Sequence, residues 1–314
     1  MRESLKTNRM TGKALVLAWG FAVVAALAPV AMTGAGMQTY AGAGIVLKVS
    51  PERSEIVVSM QEIPGFMDAM VMPLSVRNAR DLEGLLPGMM IDFALVVSGK
   101  SSHADNVRVR PFVSLENDPQ GAGRIAVLQE VLAKNPGSAL CVGQHVPDFS
   151  LTDQNRQQVA LSQFSGQVVA MTFVYSRCPL PNFCFRLSNN FGQLQKRFGE
   201  RMGHDLILLT VTLDPIHDQP DALAKYGSIW NANATSWHLV TGPPAAIQKV
   251  TGMFGVIYSP DEGTMTHSLH TVLIDRQGNL AANLEGNEFT SKQLGDLVET
   301  VLNRAPARVS RAKL

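Results

Sequence analysis

The stretch that most constrains the fold is Gln167–Tyr175, QVVAMTFVY, a nearly unbroken apolar run. Apolar residues without alternation must be covered on both faces, as in a strand inside a parallel sheet. The run stops at Ser176-Arg177-Cys178-Pro179. Asn182–Phe198 follows with Phe185, Leu187, Phe191, Leu194 and Phe198 at helical spacing. Leu206–Leu213 is a second buried strand, ending at Asp214-Pro215. Asp218–Trp230 reads as a helix with Asp218 as its N-cap and Pro220 near its start. Thr271–Asp275 turns at Arg276-Gln277-Gly278-Asn279 so that Leu280–Leu284 can pair back, and Leu294–Leu302 is a closing helix. Strands alternating with helices predict an α/β domain over residues 141–303 with a mainly parallel central sheet.

In such sheets chemistry collects at the carboxyl ends of the strands. Cys178 falls there, near a helix N-terminus whose dipole favours the thiolate, the form that acts as nucleophile and as metal ligand. Cys184 follows in C-P-L-P-N-F-C, so the pair is not a CxxC redox motif. The spacing permits a disulfide across a small loop or two thiolates on one soft metal. Two unrelated core thiols are the plain alternative. His267 lies before the Thr271 strand, in T-H-S-L-H-T-V-L-I-D. Two thiolates and an imidazole suit Cu(I) and can adapt to Cu(II). His270, three residues along an extended segment, faces the other way and reads as structural. Asp214 is either a turn former before Pro215 or a carboxylate supporting the histidine. Cys141 has no evident partner.

Residues 41–112 carry a different pattern. Gly44–Val49, Glu55–Ser59, Met72–Val76, Met90–Val97 and Asn106–Arg110 are short β-rich runs with turn residues in most of the gaps. Five such strands suit a small, partly open barrel of the OB-like kind. Four methionines, Met60, Met67, Met70 and Met72, crowd one turn of it. In a strand Met70 and Met72 share a face, and thioethers select Cu(I) over hard cations. Core filling is the competing role, accepted here for Met89 and Met90.

The N-terminus sets the expected compartment. Arg2, Lys6, Arg9 and Lys13 precede the nineteen uncharged residues from Ala14 to Met32. That reads as an export signal or, preferably, an uncleaved membrane helix, with residues 1–36 as n-region plus anchor. The orientation rule leaves the remainder outside, in the periplasm or at the outer face of the inner membrane, where disulfides are permitted. Secretion after signal cleavage is the alternative. Residues 113–140 read as a linker and 304–314 as a basic tail. Lys and Arg total 27 against 26 Asp and Glu. There is therefore no basic field for nucleic acid.

Two resemblances follow from these motifs. I-P-G-F-M-D-A-M-V-M-P with the later L-x-x-L-x-P-G resembles the CusF-like periplasmic copper-binding module. That likeness places the family's paired methionines on Met70 and Met72, its histidine near Met60 and its copper-stacking tryptophan near Met67. An all-thioether copper site is what it implies here. G-Q-H-V-P-D-F-S-L-T-D-Q, F-V-Y-S-R-C-P, T-L-D-P-I-H-D-Q-P-D-A-L-A-K-Y-G and H-S-L-H-T-V-L-I-D-R-Q-G resemble the Sco/SenC family of membrane-tethered copper proteins. The implied fold is thioredoxin-like. Cys178 stands at the first family cysteine, His267 at the family histidine and Asp214 at the acid of the D-P motif. Cys184 stands at the second cysteine across an enlarged loop, five residues in place of three.

The resemblance implies an extracytoplasmic copper metallochaperone that delivers copper, or redox support, to the copper-site subunit of cytochrome c oxidase or to another copper acceptor. It would be a chaperone rather than an enzyme, with thiol–disulfide exchange as an ancillary property. The Met module would hold Cu(I) and the Cys/Cys/His module would receive it, the linker keeping them at high mutual concentration. A thiol–disulfide oxidoreductase or peroxidase using Cys178 and Cys184, with a separate copper-sequestering module, is the alternative. A copper-tolerance module without delivery is a third.

Overall fold

The computed structural model describes residues 37–99, 101–111, 139–261 and 264–304. The expected anchor at 1–36, nearly all of the 113–140 linker and the tail after Arg304 lie outside them. Among the described residues no helix is long and apolar enough to cross a membrane.

The first half is a barrel of β1 (Gln38–Ser50), β2 (Glu55–Met60), β3 (Val71–Val76), β4 (Met90–Ser98) and β5 (Ser101–Val109). Its order is β1-β2-β3-β5-β4, and β4 returns to β1, so the barrel is closed rather than partly open. Closure depends on a short parallel pairing of β3 with β5, at Ser75–His103 and Val76–Ala104. The sequence runs are shorter than the strands, because β1 begins at Gln38 and β5 at Ser101. Val46, Ile56, Val58, Met60, Leu74 and Ile91 fill the interior.

The second half begins with the hairpin β6 (Ser150–Asp153) and β7 (Gln158–Ala160). Then come β8 (Val168–Val174), α1 (Arg186–Arg197), β9 (Leu206–Thr212), α2 (Pro220–Ile229), β10 (Trp237–Thr241) and α3 (Pro244–Met253). A separate ribbon, β11 (Tyr258–Asp261) with β12 (Thr264–His267), precedes β13 (His270–Ile274), β14 (Leu280–Glu285) and α4 (Ser291–Leu302). The main sheet runs β14-β13-β8-β9-β10-β6-β7. Only β8–β9 and β9–β10 are parallel. The expected mainly parallel sheet is therefore a mixed one with a parallel centre, because hairpins add antiparallel strands at both sides. Alternation along β8 sorts its two faces. Val168, Ala170 and Val174 meet α1 and α4, whereas Val169, Met171 and Phe173 meet α3.

The two halves share a core. β1 is buried on both faces: Val46 points into the barrel, while Ile45 and Leu47 join Leu294, Leu297 and Val298 of α4. Ser59 Oγ donates to Asp296 Oδ2 at 2.7 Å, and Gln293 Nε2 donates to Ser59 O at 3.0 Å. The described residues of both halves accordingly belong to one compact unit.

Candidate functional site

The chain leaves β8 through Tyr175, Ser176 and Arg177 to Cys178. This turn is tied down from β9. Asp218 Oδ2 accepts the Ser176 N–H at 3.0 Å and the Thr212 hydroxyl at 2.5 Å, and its Oδ1 accepts the Ser176 hydroxyl. Asp218 is fully buried. It is not the N-cap expected from sequence; Gln219 holds that position. Beyond Cys178 the chain makes one wide, π-type turn over Pro181–Phe185 before α1. That turn absorbs the five-residue cysteine spacing. Wide turns of this kind are frequent at functional sites. The helix expected from Asn182 starts only at Arg186, and Phe185, expected on its buried face, is exposed with its ring edge on Trp230.

Cys184 is buried, Cys178 half-buried and Cys141 exposed, and none is bridged. Cys184 Sγ lies 3.6 Å from His267 Nε2, and Cys178 packs against the same core. His267 Nδ1 is 2.9 Å from the Ser268 carbonyl. That contact puts the proton on Nδ1 and leaves the Nε2 lone pair facing Cys184. Of the expected trigonal set, Cys184 and His267 are in direct contact. Among the described residues no three His, Cys, Asp or Glu side chains already surround one metal position. Cys178 Sγ lies 3.9 Å from the Leu180 carbonyl.

Electrostatics divide the two thiols. The hydrogen bond from Cys184 is the main cause that brings Cys178 down to about 6, against the opposing effect of burial. Burial pushes Cys184 well up, and the bond it donates adds to this. Burial also holds His267 down at about 4, so its imidazole is neutral. Tyr175, not anticipated from sequence, completes the surroundings. Its hydroxyl accepts the Met265 N–H at 3.4 Å, and its ring meets His267 edge-on at 5.8 Å. The available signal was a lone phenol ending an otherwise apolar strand.

Asp214 is near this site but does not support His267. It accepts Arg177 Nη2 at 2.7 Å and lies 2.8 Å from His217 Nδ1. Burial acts to raise its pKa most strongly, yet the bonds from His217 and Arg177 hold it below the ordinary carboxylate range. His270 is buried with Nδ1 2.9 Å from Asn283 Oδ1, in the structural role expected of it.

The four clustered methionines are gathered at one mouth of the barrel. Met60 lies wholly inside, Met67 and Met72 are partly buried against the barrel core, and Met70 is 47% exposed. The Met60 N–H donates to Met70 O at 2.9 Å, which closes the loop carrying them. Phe66 of that loop stacks on Tyr40 with ring centroids 3.9 Å apart.

Residues 141–303 match the family model described as SCO1/SenC. The chain belongs to the SCO1/SenC family. The SCO1/SenC match leaves the barrel outside it. A Stutzerimonas stutzeri protein named as copper-binding is 26% identical over 146 residues, which is 44% of this chain and 68% of that protein. Bradyrhizobium japonicum ScoI, solved with copper bound, is 22% identical over 50% of this chain and 99% of its own, with a TM-score of 0.44. BsSco, described as a member of the Sco family of cytochrome c oxidase assembly proteins and studied for a disulfide switch, is 22% identical over 50% of this chain and 93% of its own, with a TM-score of 0.44.

Proposed function

We propose that this protein is an extracytoplasmic copper chaperone in which Cys178, Cys184 and His267 take up copper and release it to an acceptor, the copper-site subunit of cytochrome c oxidase being the partner class that the family suggests. The observation that carries the reading is the buried Cys184 Sγ 3.6 Å from an imidazole nitrogen whose lone pair faces it, with Cys178 packed against the same core. Soft thiolates with one neutral imidazole match Cu(I). The copper-binding relatives support it. The barrel, which resembles the CusF-like module, is a second Cu(I) site of thioethers from Met60, Met67, Met70 and Met72. The N-terminal basic and apolar segments are the membrane anchor.

The test is copper uptake by the reduced full-length chain in detergent. About two Cu(I) should bind, one for each soft-donor set. Cys178→Ser should remove the one whose X-ray absorption shows sulfur with nitrogen, and uptake by neither site would end the copper reading. One observation favours a second, redox activity. Cys178 is a half-exposed thiol brought down to about 6 beside a buried, protonated partner, the arrangement of an attacking and a resolving cysteine. Disulfide exchange with a small disulfide, lost in Cys184→Ser, would establish it; peroxide turnover would extend it to peroxidase chemistry.

A further inference from the structure

The strand registers determine where the methionine mouth lies relative to the cysteines. Gly44 of β1 pairs with Met60 and with Ile91, Met60 bonds Met70, and Arg110 bonds Met90. These residues therefore form one level of the barrel, the level from which the Met60–Met70 loop springs. The same level is joined to the first turns of α4 by Ser59, through Gln293 and Asp296. Arg110 Nη1 reaches Glu288 Oε2 at 3.3 Å, in the segment just before α4.

That segment belongs to the cysteine end of the second half. β13 is antiparallel to both β8 and β14, so β14 runs with β8 and ends where β8 ends. The contacts agree. Asn287 Nδ2 donates to Asn182 O, inside the Cys178–Cys184 turn, and Arg186 Nη2 donates to the Glu288 and Phe289 carbonyls at 3.4 Å. Gly286 N bonds Leu269 O at 2.8 Å, two residues from His267. Residues 286–290 are thus a short strap touching the cysteine turn, the histidine segment and the barrel. Nothing in this arrangement swings freely. Ile45, Leu47, Val57 and Met90 share the core of α1 and α4, and parting the domains would strand the buried Asp296 and Ser59 groups.

We infer that the methionine mouth and the Cys178/Cys184/His267 centre are a fixed pair opening at one end of the molecule, and that Cu(I) passes between them within one chain without the domains separating. This rests on the copper reading above. In the transfer copper stays Cu(I). Its bonds to thioether sulfur break, bonds to the Cys178 and Cys184 sulfurs and to His267 Nε2 form, and any thiol protons still present pass to solvent. The direction follows from charge: anionic thiolates hold the cation more strongly than neutral thioethers.

The experiment starts from the full-length chain with Cys178 and Cys184 oxidised to a disulfide by diamide and Cu(I) loaded on the methionines. A phosphine reductant then opens the disulfide, leaving as phosphine oxide, and Cu–thiolate absorbance reports arrival. The reference is an equimolar mixture of Cys178→Ser/Cys184→Ser chains carrying copper with reduced Met70→Leu/Met72→Leu chains. Over a tenfold dilution the wild-type rate constant should hold steady while the mixture slows by about tenfold, as a second-order process must. A wild-type rate that falls with dilution as the mixture does would overturn the inference. Ser59→Ala/Gln293→Ala, which loosens the seam, should slow wild-type transfer; acceleration would mean that the domains must part and would also overturn it. Copper uptake by each single-site variant separates the outcomes. If neither binds, the copper reading fails; if both bind and transfer still depends on dilution, only the fixed pair fails.

Discussion

Asp218 holds Ser176 twice, accepting its backbone N–H at 3.0 Å and its hydroxyl, from a side chain with no exposure to solvent. The two residues belong to turns after different strands. Their bond joins the end of β9 to the segment that presents Cys178, so the position of the cysteine is set by a carboxylate forty residues away in sequence.

Asp218→Ala should therefore loosen the turn as well as the fold. Losing the bonds from Ser176 and Thr212 predicts a cost of about 2–4 kcal/mol in urea unfolding, from about 1–3 kcal/mol for each donor left unsatisfied with partial compensation. Copper held by the cysteine site should exchange faster in the variant. A variant as stable as wild type with unchanged copper exchange would show that the clamp is idle.

Cys178 should alkylate with a midpoint near pH 6, and Cys184→Ala should move that midpoint upward by removing the main cause of its depression. The sign for stability follows. Between about 6 and the ordinary thiol value of 9.0 the unfolded chain holds a proton that folded Cys178 has lost, so its contribution rises with pH across that window and is gone below it. Comparing Cys178→Ser with wild type in denaturant series at several pH values measures the difference.

His267 acts in a lower window. Its folded value of about 4 lies below the ordinary 6.5, so between those values the unfolded chain binds a proton and the folded one does not. Stability should fall as pH drops from 6.5 toward 4, and His267→Phe should flatten that part of the profile. An unchanged slope in the variant would assign acid sensitivity elsewhere. For copper, the same burial means that proton competition near pH 5.5 comes from the cysteines, chiefly Cys184, rather than from the imidazole. Acidification should still shift Cu(I) toward the methionines, with the remaining centre retaining its nitrogen ligand in X-ray absorption.

The methionines should separate by substitution. Met60→Ala opens a hole in the barrel core and should cost about 2–5 kcal/mol. Met70→Ala, at an exposed position, should stay within about 0.5 kcal/mol. Loss of Cu(I) from the barrel by Met70→Ala without loss of stability would isolate ligation from packing, and retention of full affinity would remove Met70 from the site.

Residues 141–304 produced without the barrel should be unstable and bind hydrophobic dye. Ile45 and Leu47 cover α4, each worth about 1.5–3 kcal/mol on full burial. A truncated domain that melts like the intact chain would contradict the shared core.

The apolar runs at Gln167–Tyr175 and Leu206–Leu213 determined by themselves that two strands are covered on both faces, and the turns that end them mark where Cys178 and Asp214 stand. Local periodicity also located most of the barrel strands and the closing helix. Tertiary structure decided what depends on partners remote in sequence. Alternation cannot reveal that β1 serves two cores, because Ile45, Val46 and Leu47 are simply three apolar residues until α4 is placed against them. Asp218 has the look of a helix cap by spacing, and only the return of β8 beside β9 brings Ser176 to it. The contact between Cys184 and His267 was equally hidden: spacing counts residues along the chain, whereas the wide turn at Pro181–Phe185 and the burial around Cys184 decide which sulfur touches the imidazole.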